Sequence, residues 1–212
     1  MKLFLFCLAL LGSEFVAGGF SKKAQDAIVD VHNKLRSKLA LGIYRAKGSE
    51  MPPAMDMLKM SWDDTIARSA QEFADTCPIS HRENYKNKYG ENIYRAFSSA
   101  EVKEDLGEYG FIASKKWEAE FNKFGWESRT YGSQKTKIGH ATQMAWSKSN
   151  KIGCGVKNCG PDPKKKGLNK VFVVCNYQKK GNVKGFEVYK EGKTCSSCPS
   201  NTSCDKDSGL CV

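Results

Sequence analysis

The sequence predicts a mixed α+β domain followed by a short disulfide-rich tail, and three observations carry that prediction. Apolar residues recur at three-and-four spacing in several separate stretches, the period of amphipathic helices. Two runs late in the chain, 151–157 and 171–178, have the length and composition of paired strands, the second through the β-branched Val171-Phe172-Val173-Val174. From Thr194 the composition turns to Cys, Ser, Asp and Gly, with four cysteines in 17 residues spaced C-x2-C-x5-C-x6-C. Such a stretch builds no hydrophobic core and depends on crosslinks.

Met1-Lys2, the apolar run from Leu3 to Gly12 and the small residues Ala17, Gly18 and Gly19 have the shape of a secretory signal peptide, bounded here at residues 1–18. The run is too short to span a bilayer, and no later segment qualifies as transmembrane. With Cys7 removed, the nine cysteines become eight, an even number that argues for disulfides in an extracellular, oxidising compartment. That compartment also permits glycosylation of Asn201 in the Asn201-Thr202-Ser203 sequon. The net charge of +11 is scattered, with only Lys164-Lys165-Lys166 in a tight cluster. For a secreted chain it points to solubility first, and to anionic glycans or membrane surfaces before nucleic acid.

In chain order, Ser21 caps a helix whose apolar stripe is Ala24, Ile28, Val31, Leu35 and Leu39, ending near Gly42; His32 on it reads as structural. Residues 48–60 hold four methionines and Pro52-Pro53, a loop tucked against the core. Ser61-Trp62-Asp63-Asp64 has the form of a capping box, and Ile66, Ala67, Ala70, Phe73, Ala74 and Cys77 give the helix after it one buried face, ended by Pro78. Gly90-Glu91-Asn92-Ile93-Tyr94 leads into a strand. Trp117, Glu120, Phe121 and Phe124 fall on one helical stripe, so Glu120 is either an acid at the margin reaching water or a buried acid with a cationic partner. From Ile138 to Ser147 no side chain is charged, which predicts a short buried helix with Thr136 as N-cap and His140 inside it. In the two late strands Cys154 and Cys175 can face each other, with an exposed basic loop around Gly160-Pro161-Asp162-Pro163.

The run Gly139-His140-Ala141-Thr142-Gln143-Met144-Ala145-Trp146 closely resembles the first signature of the CAP superfamily, the cysteine-rich secretory, antigen 5 and pathogenesis-related proteins. His32-Asn33-Lys34-Leu35-Arg36, the segment Leu58 to Asp63, Gly90-Glu91-Asn92-Ile93, and Val174-Cys175-Asn176-Tyr177 with Gly181-Asn182 resemble further words of that family, in its order. The resemblance implies a three-layer α-β-α sandwich with a central antiparallel sheet over residues 19–192, then a hinge-like tail at 193–212, similar to nematode venom-allergen-like secreted proteins. It implies the disulfides Cys77–Cys159, Cys154–Cys175, Cys195–Cys204 and Cys198–Cys211; spacing alone leaves the pairing open.

The resemblance also implies a cleft carrying His81, Glu91, Glu120 and His140, able to bind zinc or another divalent cation without requiring it. Phe124, Trp126 and Tyr131 fit an aromatic pattern that the family associates with sterol binding, although packing in the core explains such rings equally well. A fatty acid is a further implied ligand. No His-Glu-x-x-His helix, no Gly-x-Ser-x-Gly elbow and no free Cys suggests a nucleophile, so the chain reads as a binding protein and not an enzyme. The alternatives are a protein ligand of a host receptor, with an immunomodulatory role, and a metal-dependent hydrolase.

Overall fold

The computed structural model describes residues 19–83, 88–133 and 137–212. Residues 1–18, where a signal peptide is expected, and Thr136, the expected cap of the His140 helix, lie outside the described residues. In chain order the elements are α1 (Lys22–Ala40), the two-residue strands β1 (Arg45–Ala46), β2 (Ser49–Glu50) and β3 (Ser61–Trp62), α2 (Asp64–Asp75), β4 (Gly90–Ser98), α3 (Gly107–Phe124), α4 (Gly139–Ala145), β5 (Lys151–Asp162), β6 (Leu168–Gln178), β7 (Cys204–Asp205) and β8 (Leu210–Cys211).

The central sheet runs β3-β5-β6-β4. β6 is antiparallel to both β5 and β4, but the short β3 joins parallel to β5, so the sheet is mixed where an antiparallel one is expected. α2 covers one face and α1, α3 and α4 lie on the other, which makes three layers. β6 is buried on both faces because it alternates between two cores. Val171, Val173, Cys175 and Tyr177 belong to the main core, while Phe172 and Val174 pack with Ala70 and Ala74 of α2. α2 lies directly on β5 because Gly153 and Gly155 carry no side chain; a Cβ there would come within 2.1 Å of Ala67 N and 2.5 Å of the Gln71 backbone.

α1 forms as its spacing predicts, with Ser21 Oγ accepting from Ala24 N. Its inner face also buries two polar side chains completely. His32 sits between Ile28 O, 2.8 Å from Nδ1, and the Tyr177 hydroxyl, 2.9 Å from Nε2. Arg36 donates to five carbonyl oxygens, those of Leu58, Met144, Trp146, Ser147 and Ser149, and so ties α1 to the 51–60 loop and the end of α4. Burial pulls its guanidinium down to about 9.

The structure differs from expectation at three element ends. Asp63 rather than Ser61 caps α2, accepting from Ile66 N at 3.0 Å, because Ser61 is taken up by β3. α3 begins well before its aromatic stripe, at Gly107. The hairpin strands extend to Asp162 and back from Leu168 across a register shift at Asn158/Pro161, so much of the expected loop is strand. The tail is more than crosslinks: Leu210 is buried in the main core, Cys211 N donates to Met57 O and Lys59 N to Cys211 O. The disulfides join Cys77–Cys159, Cys154–Cys175, Cys195–Cys204 and Cys198–Cys211. Among the described residues no helix is long and apolar enough to cross a membrane.

Candidate functional site

His81, Glu91, Glu120 and His140 line one cleft of about 460 Å³. Four different segments deliver them: the loop after α2, the start of strand β4, the last turns of α3 and the first turn of α4. They do not converge as one cluster but as two pairs. His81 Nδ1 lies 2.8 Å from Glu91 Oε1, and His140 Nδ1 lies 2.6 Å from Glu120 Oε1. No three of their ligand atoms lie within 4.8 Å of one another; among the described residues only Cys195, Cys198 and Cys211 meet that test. Those sulfurs are in disulfides, which removes the thiolates a metal would need.

Glu120 is part-buried and its side-chain partner is the imidazole of His140. Its Oε2 accepts from His140 N at 3.0 Å and Ala141 N at 3.1 Å, so a carboxylate on α3 caps the N-terminus of α4. The same carboxylate holds the His140 ring, which stacks on Trp117 with centroids 5.9 Å apart. α4 has no cap of its own, since Ile138 precedes it without a side-chain hydrogen bond.

Glu91 is partnered on one side only. Oε1 accepts from His81 and from Arg82 N at 3.2 Å, whereas Oε2 is buried and, among the described residues, has no hydrogen-bond partner. A buried carboxylate oxygen left bare is costly, so this atom calls for a cation or a water. In both pairs a carboxylate on Nδ1 sets the tautomer and leaves Nε2 with its lone pair, the arrangement by which proteins orient a metal-binding imidazole. Each imidazole thus has an Nε2 available to a ligand of the cleft, with the glutamates orienting the rings and able to offset positive charge.

Three residues that the sequence reading left without a role hold the cleft together. Gln143, buried in α4, accepts from Gly181 N at 3.1 Å and donates to Ser149 Oγ at 3.3 Å. It fits only because Gly90 and Gly181 are bare: a Cβ on Gly90 would lie 2.0 Å from its Oε1. Asn182 bridges Thr142 Oγ1 and Gly139 O, and Asn92 donates to His140 O at 3.0 Å. The signal that points to Gln143 is a polar amide in a stretch with no charge, since a buried amide must find partners.

The three aromatics of the 124–131 segment do not share a face. Trp126 is 7 % exposed, stacked on Phe121 at 4.2 Å and edge-on to Tyr189, so in this fold it is core packing. Phe124 is half-buried at the end of α3, and only Tyr131 reaches the cleft. Asn201 is exposed in the tail.

The model of the cysteine-rich secretory protein family, CAP, matches residues 29–177. Venom allergen 5 of Tityus serrulatus is 35 % identical over 191 residues, 88 % of this chain and 44 % of its own length. Ancylostoma secreted protein of Ancylostoma caninum is 32 % identical over 201 residues, 91 % of this chain and 45 % of its own. The chain thus spans less than half the length of these curated relatives. Among solved structures, NaASP2 with Zn2+ superposes with a TM-score of 0.78 at 32 % identity, covering 92 % of this chain and 97 % of that one.

Proposed function

Because the chain belongs to the cysteine-rich secretory protein family, CAP, we propose that it is a secreted, non-catalytic binding protein whose cleft takes up a divalent cation on His81 and His140. The observation that carries this reading is the pair of imidazoles, each oriented by a carboxylate on Nδ1, beside the unpartnered Glu91 Oε2. Zinc in the solved NaASP2 structure supports the choice of ion. The bound cation supplies positive charge and an attachment point for an anionic ligand group. His81 and His140 hold it, Glu91 and Glu120 keep the rings in place, and Gln143 with Asn182 fixes the walls. Among the described residues that line the cleft there is no Ser or Cys to act as a covalent nucleophile.

Titration calorimetry with Zn2+ tests this proposal. The oxidised chain is expected to bind one ion, and His81→Ala and His140→Ala to lose it. Equal binding by the double variant would remove the site.

Sterol binding at the 124–131 segment is the second reading, favoured by Tyr131 standing in the wall of the same cleft. On that reading Phe124 and Tyr131 make the contacts and Trp126 supports them from the core. Cholesterol retention by Tyr131→Ala equal to that of the parent chain would discard it. A host receptor is the alternative partner, and receptor-dependent activity that survives in the histidine variants would favour it.

A further inference from the structure

We propose that the turn Val183–Phe186 and the lysines around it form a docking surface for anionic lipid bilayers. Phe186 is 60 % exposed and Val183 39 % exposed, in a chain whose large apolar side chains are mostly buried. The turn is held rather than loose. Phe186 N donates to Val183 O at 3.1 Å, Gly185, at φ +84°, donates to Tyr131 O at 2.9 Å, and Tyr131 N donates to Phe186 O at 2.8 Å. Two apolar side chains are therefore presented to the outside on fixed backbone, and what sets them apart from the exposed Ile43 and Ile79 is the lysines beside them.

Lysines outnumber acids around them. Lys148, Lys179 and Lys190 line the same depression of about 450 Å³, and exposed Lys184 lies between the two apolar residues in sequence. None of these four lysines forms an ion pair among the described residues. Against them stands one exposed acid, Glu187; Asp56 is buried and accepts from Ser147 Oγ and Lys190 N.

Lysine ammonium groups recognise phosphate, but a soluble anion or a sulfated glycan has no place for Phe186 and Val183. A bilayer accepts both, taking the apolar tips below the headgroups while the lysine heads stay at phosphate level. Attachment needs the two signals together, since either alone gives marginal binding. This surface does not depend on the cation reading, because neither histidine contributes to it.

The test is co-sedimentation of the oxidised chain with vesicles of phosphatidylcholine alone or of phosphatidylcholine with phosphatidylglycerol, alongside retention on heparin. The proposal expects at least about ten-fold tighter binding to the anionic vesicles, falling about five-fold for each of Lys148→Gln, Lys179→Gln and Lys190→Gln. Val183→Ser/Phe186→Ser, with unchanged near-UV circular dichroism, is expected to lose about ten-fold on vesicles while keeping its heparin retention. Undiminished vesicle binding by that double variant, or retention on heparin without binding to anionic vesicles, would overturn it.

Discussion

Acid should weaken this fold through His32, by an amount that the structure sets. The ring is fully buried between Ile28 O and the Tyr177 hydroxyl, with the Arg36 cation one turn away on α1. Desolvation, with Arg36 adding in the same sense against the Ile28 hydrogen bond, lowers it from 6.5 to about 4. The unfolded chain therefore binds a proton through this window while the native chain does not, so stability is full above pH 6.5 and falls as pH drops towards 4. At 1.36 kcal/mol per unit, about 2 kcal/mol is lost by pH 5 and about 3 kcal/mol below pH 4. The assay is urea unfolding of the oxidised chain and of His32→Gln across pH 4–7. Contributions from all other groups are common to both proteins and cancel in the difference. His32→Gln is less stable at neutral pH, and the gap is expected to narrow by about 2 kcal/mol between pH 7 and pH 5. A constant gap would refute the reasoning.

Arg36→Met removes the donor shared by five carbonyl oxygens, of which Trp146 O and Ser147 O keep a backbone N–H, and is expected to cost about 3–5 kcal/mol in chemical denaturation; a loss under about 1 kcal/mol would contradict the role given to it. Glu120→Gln keeps the shape but puts an amide against the two N–H groups of α4. We expect about 1–2 kcal/mol of destabilisation by thermal unfolding and about ten-fold weaker zinc binding, since the His140 ring loses its orienting carboxylate. Gln143→Leu removes the acceptor for Gly181 N and is expected to cost about 1–3 kcal/mol, with faster amide exchange at Gly181 as the local readout.

Much of this architecture is legible because period and burial are linked. The stripe from Ala24 to Leu39 has one way to hide itself, and the uncharged run from Ile138 to Ser147 has to go inside. The methionines of the 51–60 loop are likewise tucked into the core at Met51, Met57 and Met60. What spacing does not carry is anything that requires two distant segments at once. Glu120 as the cap of α4 exists only when α3 lies beside Gly139, and Ser61 looks like a cap until β5 pairs with it. Trp126 illustrates the same limit, since an aromatic pattern is equally compatible with an exposed platform and with a ring stacked on Phe121. The tetrad is visible only through the family words, and its division into two pairs is visible only in three dimensions.

Anomalous scattering from crystals soaked in zinc, recorded at the zinc edge, puts the cleft to the plainest trial. A single peak is expected within about 2.1 Å of Nε2 of both His81 and His140, with each Nδ1 still on its glutamate. A zinc ion bound elsewhere, or a cleft that stays empty in zinc while the chain remains folded, would contradict the account.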